Sequence, residues 1–116
     1  MPQGATGTAR ARSSFTDQLA QFFPQAMPVR IPVTLMQVSA EGEREAESTV
    51  VEFGTSRELL FATRLPLQFA DMIRVQTSDG TLDAEARVVA MQYSGGNRAA
   101  VAARFTHQVT NWIIKP

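Results

Sequence analysis

From Arg30 onward the apolar residues recur with a period of two, and turn-forming residues interrupt that period at short intervals. This pattern confines the chain to a small antiparallel β architecture, because a strand of period two can bury only one of its faces. Ile31, Val33 and Leu35 alternate with Pro32, Thr34 and Met36 in a first strand, with Pro32 near its start, where a missing N–H is tolerable. A polar turn, Glu41-Gly-Glu-Arg-Glu, leads to a second strand in which Thr49, Val51 and Phe53 share a face. Gly54-Thr-Ser breaks that strand, and residues 59–62 make a third. Residues 71–77 form a fourth, and Ser78-Asp-Gly-Thr carries the Asp-Gly signal of a tight hairpin into a long fifth strand over residues 82–93. Gly95-Gly-Asn turns the chain into a sixth strand over residues 99–105. Six short strands joined by hairpin chemistry predict a mainly β fold, a six-stranded antiparallel β-barrel.

The flanks follow another rule. Residues 1–13 are small, polar and without period, and read as a mobile tail ahead of a single domain over residues 14–116. Ser13 or Ser14 caps a short helix over residues 15–23, with Asp17 near its positive end. Phe15, Leu19, Phe22 and Phe23 fall on one stripe of that helix, which Pro24 ends. A short helix with that much apolar surface must pack on its own barrel or on another molecule, so these four residues are the candidate interaction surface. At the other end, residues 106–115 put Val109, Trp112 and Ile113 on one face of a C-terminal helix, with Trp112 as the anchor.

The chemistry the residues permit is narrow. Eleven Lys+Arg balance eleven Asp+Glu, so no bulk field draws the chain onto nucleic acid or anionic lipid. No basic run is interleaved with exposed aromatics, as single-stranded nucleic acid would require. No cysteine is present, which removes disulfides, thiol nucleophiles and thiolate metal sites and fits a reducing, cytoplasmic setting. The N-terminus lacks a signal-peptide core, and no apolar run approaches the roughly 18–20 residues that span a bilayer. His107 is the single histidine, no serine elbow accompanies it, and its place just after the last strand reads as a surface or capping residue. Glu41, Glu43, Glu45 and Glu47 alternate as an exposed hairpin edge would, without the Asp/Asn and glycine pattern of a calcium loop. Together these features point away from an enzyme, a metal site or a cofactor and toward a binding domain.

The strand order resembles the PilZ domain, the small bacterial barrel that receives cyclic di-GMP. The resemblance runs from about Arg30 to Phe105. It is carried by Arg30-Ile-Pro-Val-Thr-Leu, by the run from Thr49 to Thr63, by Leu65-Pro-Leu-Gln-Phe-Ala-Asp-Met-Ile-Arg-Val, and by Ala86-Arg-Val-Val-Ala with Ala100-Val-Ala-Ala-Arg-Phe. Nucleotide-binding members of that family carry Arg-x-x-x-Arg before the first strand and Asp/Asn-x-Ser-x-x-Gly after the second. This chain departs from both. If Arg30 stands for the second arginine, its partner position is Ala26, and the second motif reads Phe53-Gly-Thr-Ser-Arg-Glu58. The resemblance therefore implies a PilZ-like adaptor in bacterial cyclic di-GMP or surface-motility signalling, acting mainly through a protein partner, with weak or no nucleotide binding. The alternative it leaves open is a direct cyclic di-GMP receptor whose rearranged site uses Arg30, Thr55, Ser56 and Arg57, with Arg10 and Arg12 folding back from the tail.

Overall fold

The computed structural model describes residues 16–38, 44–93, 96–109 and 112–114. The expected tail over residues 1–13, with Arg10 and Arg12, lies outside the described residues, as do Phe15 and the tip of the first hairpin at residues 39–43. Six strands form the fold: β1 (Met27–Val38), β2 (Arg44–Gly54), β3 (Glu58–Thr63), β4 (Met72–Thr77), β5 (Asp83–Tyr93) and β6 (Ala99–Phe105). They close into a barrel in the order β1-β2-β3-β6-β5-β4, with every neighbouring pair antiparallel. Pairing on the second side covers only part of the long first hairpin: β4 meets β1 over residues 33–37, and β3 meets β2 over residues 51–54.

The β1–β2 hairpin is longer than the apolar alternation predicts. β1 begins at Met27, ahead of Pro28 and Pro32, and β2 begins at Arg44, inside the acidic stretch read as a turn. Both prolines are exposed, and a shift of register between Pro28 and Ile31 lets the strand continue past them. Glu47 is not a solvated edge residue. Its carboxylate accepts the Thr63 hydroxyl and, at 3.0 Å, the Arg64 backbone N–H, which satisfies the end of β3.

Alternation sorts the side chains into two cores. Leu59 and Phe61 of β3, Val101 and Ala103 of β6, and Val33, Leu35, Val51 and Val75 fill the barrel interior. Leu60, Ala100 and Ala102 point outward into a second, smaller cluster. That outer face is covered by α1, a short helix over residues 16–20, through Leu19. Alanines on the outside of β6 let the helix backbone approach the sheet closely, which explains why that strand is buried on both faces. After α1 the chain tightens, with Phe22 and Phe23 donating to the carbonyls of Leu19 and Ala20, before Pro24 stops it. The apolar stripe is therefore split: Leu19 is buried, Phe23 half-buried, and Phe22 is 75% exposed.

The C-terminal helix expected over residues 106–115 is not found: the described residues 106–109 and 112–114 are bends and irregular backbone. Trp112 is buried while Ile113 beside it is 64% exposed, so the two do not share a face. A ten-residue window rich in β-branched side chains (Val109, Thr110, Ile113, Ile114) is a poor nucleus for a helix. Its tryptophan instead finds a partner on the barrel.

The β4–β5 hairpin carries the fold's clearest local electrostatics. Gly80 takes the left-handed backbone conformation, φ 77°, that the tight turn needs. Asp79 Oδ1 accepts from the Thr81 N–H at 3.0 Å, the Thr81 hydroxyl at 2.7 Å and the Thr77 hydroxyl at 2.8 Å. These bonds, the Thr81 N–H first, hold the Asp79 carboxyl at about 2, below its ordinary value of 3.8. A depressed carboxyl contributes stability above its unfolded value and loses it as pH falls toward the folded one. The hairpin should thus loosen between about pH 4 and pH 2, and a carboxyl-detected NMR titration should place the Asp79 midpoint near 2. A midpoint near 3.8 would mean that these hydrogen bonds do not persist in solution.

The two aromatic-stripe residues give a second check. Leu19→Ala should destabilise by about 2–5 kcal/mol in a urea melt, whereas Phe22→Ala should stay within about 0.5 kcal/mol. Equal losses at both positions would contradict the seating of α1.

Candidate functional site

At one end of the barrel, β2 breaks at Gly54 because that residue has to be small. A Cβ on Gly54 would stand 2.9 Å from Trp112 Cζ2 and 2.9 Å from Ile114 Cδ1. The indole fills the notch that the missing side chain leaves. Its Nε1–H donates to the Thr55 carbonyl oxygen at 2.6 Å, and its ring meets Phe105 edge-on with centroids 5.4 Å apart. The turn that follows closes on itself. Thr55 N–H donates to the Glu58 carbonyl at 2.9 Å, and the Thr55 hydroxyl oxygen accepts from Arg57 N–H at 3.1 Å and Glu58 N–H at 2.9 Å. That hydroxyl donates in turn to Glu58 Oε1. Glu58 Oε2 takes two bonds from Arg104, at 2.8 Å from Nε and 2.7 Å from Nη2. The sequence presents Gly54-Thr-Ser as a simple strand break; the fold makes it a socket for the C-terminal segment.

The candidate ligand residues separate. Thr55 is buried, with its hydroxyl committed to the turn. Ser56 and Arg57 line a recess of about 350 Å³ on the outer side of the same turn. Across it stand Thr106, His107 and Gln108, with Phe105, Val109 and Ile114 as the apolar floor. The Phe105 N–H donates to the Arg57 carbonyl at 2.9 Å, which fixes the two walls relative to each other. Arg30 is exposed on β1, where register is lost between Pro28 and Ile31, and it does not line this recess. Glu52, across that shift on β2, has Oε1 buried with no hydrogen-bond partner among the described residues.

His107 was legible only as a surface residue, and nothing in the sequence brings it to Arg57; their proximity comes from the pairing of β3 with β6, which sets Glu58 opposite Arg104. Thr106 and His107 then continue past the end of that ladder. Of the candidate interaction residues, Leu19, Phe22 and Phe23 line an apolar hollow with Ala90 and Met91, from which Phe22 projects.

No protein-family model matches the chain, and no curated protein matches it. Among the described residues no group of three or more acidic, histidine or cysteine side chains is placed to hold a metal ion, and no helix is long and apolar enough to cross a membrane.

The notch makes a sharp expectation. Gly54→Ala should cost about 1–3 kcal/mol by overpacking against the indole ring, read as a lowered urea midpoint. An unperturbed midpoint would contradict the close approach of Trp112.

Proposed function

We propose that the chain is a PilZ-like binding domain of the adaptor type, working through contact with a protein partner and taking cyclic di-GMP weakly or not at all. The observation that carries the reading is the self-satisfied turn at Thr55–Glu58. In the aligned motif this segment would have to offer its hydroxyl and amide groups to a nucleotide. Here the Thr55 hydroxyl is engaged by two backbone N–H groups and by Glu58, and Glu58 is held by Arg104. A nucleotide would have to displace these bonds before the turn could offer it a hydroxyl or an amide.

The missing first arginine adds to this, since Ala26 holds its place when Arg30 is aligned with the second. One charge-assisted contact is worth about 1.5–3 kcal/mol, a factor of roughly 10–10² in affinity. The protein-contact half of the reading is supported by Phe22, 75% exposed beside a hollow lined by Leu19, Phe23, Ala90 and Met91. Aromatic and methionine side chains without charge are the composition of an interface core.

Calorimetric titration of the purified protein with cyclic di-GMP should give a dissociation constant no tighter than tens of micromolar, on the order of −6 kcal/mol. A submicromolar isotherm would overturn the adaptor reading in favour of direct nucleotide reception, and Arg30→Ala and Arg57→Ala would then locate the rearranged site.

A further inference from the structure

The recess between the β2–β3 turn and the segment after β6 has the properties of a small-molecule site. Its volume, about 350 Å³, is of the size that receives one ring-sized ligand. Its polar wall carries the Arg57 guanidinium, the His107 imidazole and the Ser56 hydroxyl, and its floor is apolar through Phe105, Val109 and Ile114. Among the described residues no carboxylate lines it. Glu58 is paired with Arg104, and Glu85 reaches the rim of the recess through the Thr106 hydroxyl. Arg57 makes no ion pair among the described residues.

The imidazole is held in a defined orientation. Thr106 Oγ1 lies 3.1 Å from Glu85 Oε1 and 2.9 Å from His107 Nδ1. With Nδ1 accepting from the Thr106 hydroxyl, the shorter of the two contacts, the ring proton sits on Nε2. Nε2–H is then the ring donor left for a ligand beside Arg57. The walls are fixed before anything binds: Phe105 N–H is tied to Arg57 and Thr106 N–H to the Glu85 carbonyl, and Trp112 packs behind Phe105. Binding there needs little reorganisation.

We propose that this recess binds a small molecule that carries one phosphate or carboxylate on a ring-sized apolar body, the oxyanion meeting Arg57 and His107 and the ring lying over Phe105 and Ile114. The site shares Ser56 and Arg57 with the rearranged nucleotide site but does not include Arg30, and it uses no group that the turn holds for itself, the Thr55 hydroxyl and the Glu58 carboxylate among them.

Phenyl phosphate and benzoate, which share the anion-on-ring chemistry, are the probes for an amide NMR titration, with inorganic phosphate and benzyl alcohol as the arms that carry one half each. The expected result is saturable shifts from phenyl phosphate or benzoate, centred on Ser56, Arg57 and residues 106–108, at concentrations below about 10 mM. Inorganic phosphate alone and benzyl alcohol should bind about ten-fold more weakly or worse. Arg57→Gln and His107→Ala, both at exposed positions, should keep the parent's melting temperature and each weaken the titration about ten-fold. No localised shifts from either anionic probe, equal binding of either control arm, or undiminished binding by Arg57→Gln in a folded variant would each overturn the proposal. Arg30→Ala separates this site from the rearranged nucleotide site, since Arg30 does not line the recess and its loss should leave phenyl phosphate binding unchanged.

Discussion

One packing contact organises the functional end of this molecule: the Trp112 indole lying in the notch at Gly54. A closed six-stranded barrel has two open ends, and its interior side chains have to be sealed from water at each. Here the chain's single tryptophan returns to the β2–β3 turn, 57 positions away, and seals one end. The indole contributes apolar area to the core through Phe105 and uses its polar edge on a carbonyl that the turn leaves free. A buried Trp is worth about 3–5 kcal/mol on truncation, a large share of a small domain's stability.

Several features follow from that contact. The seat for the indole requires glycine at position 54, and glycine ends β2. The turn then has to satisfy its own amides, which Thr55 does with one hydroxyl, and Glu58 pairs with Arg104 across the β3–β6 ladder. Groups that could have faced a nucleotide are instead structural. The same turn places Arg57 outward, facing the segment that carries Trp112, and the space left between them is the recess shared with His107. The seal at this end and the recess beside it are two results of one arrangement.

The barrel was readable from the chain because each strand repeats a local signal: alternating Ile31, Val33 and Leu35, the Asp-Gly hairpin at residues 79–80, and the apolar run that became β6. Strand ends were less readable. Pro28 and Pro32 argue against a strand locally, yet the ladder with β2 continues past them through a shift of register. The C-terminal segment was misread as a helix because the spacing of Val109, Trp112 and Ile113 mimics a helical face. Its conformation is set by a distant carbonyl and a missing Cβ, and periodicity cannot register either. The recess was illegible for the same reason: Ser56 and Arg57 stood out, but only strand pairing brings His107 to them. The split of the N-terminal stripe, Leu19 inward and Phe22 outward, likewise depends on the tightened turn before Pro24.

Hydrogen exchange at the Trp112 indole N–H tests the central contact most directly, because this proton is the one donated to the Thr55 carbonyl. The account predicts that it exchanges as slowly as the Phe105 amide, opening only when this end of the barrel unfolds. Exchange at the rate of a free indole, with the β3 and β6 amides still protected, would show that the tryptophan does not seal the barrel.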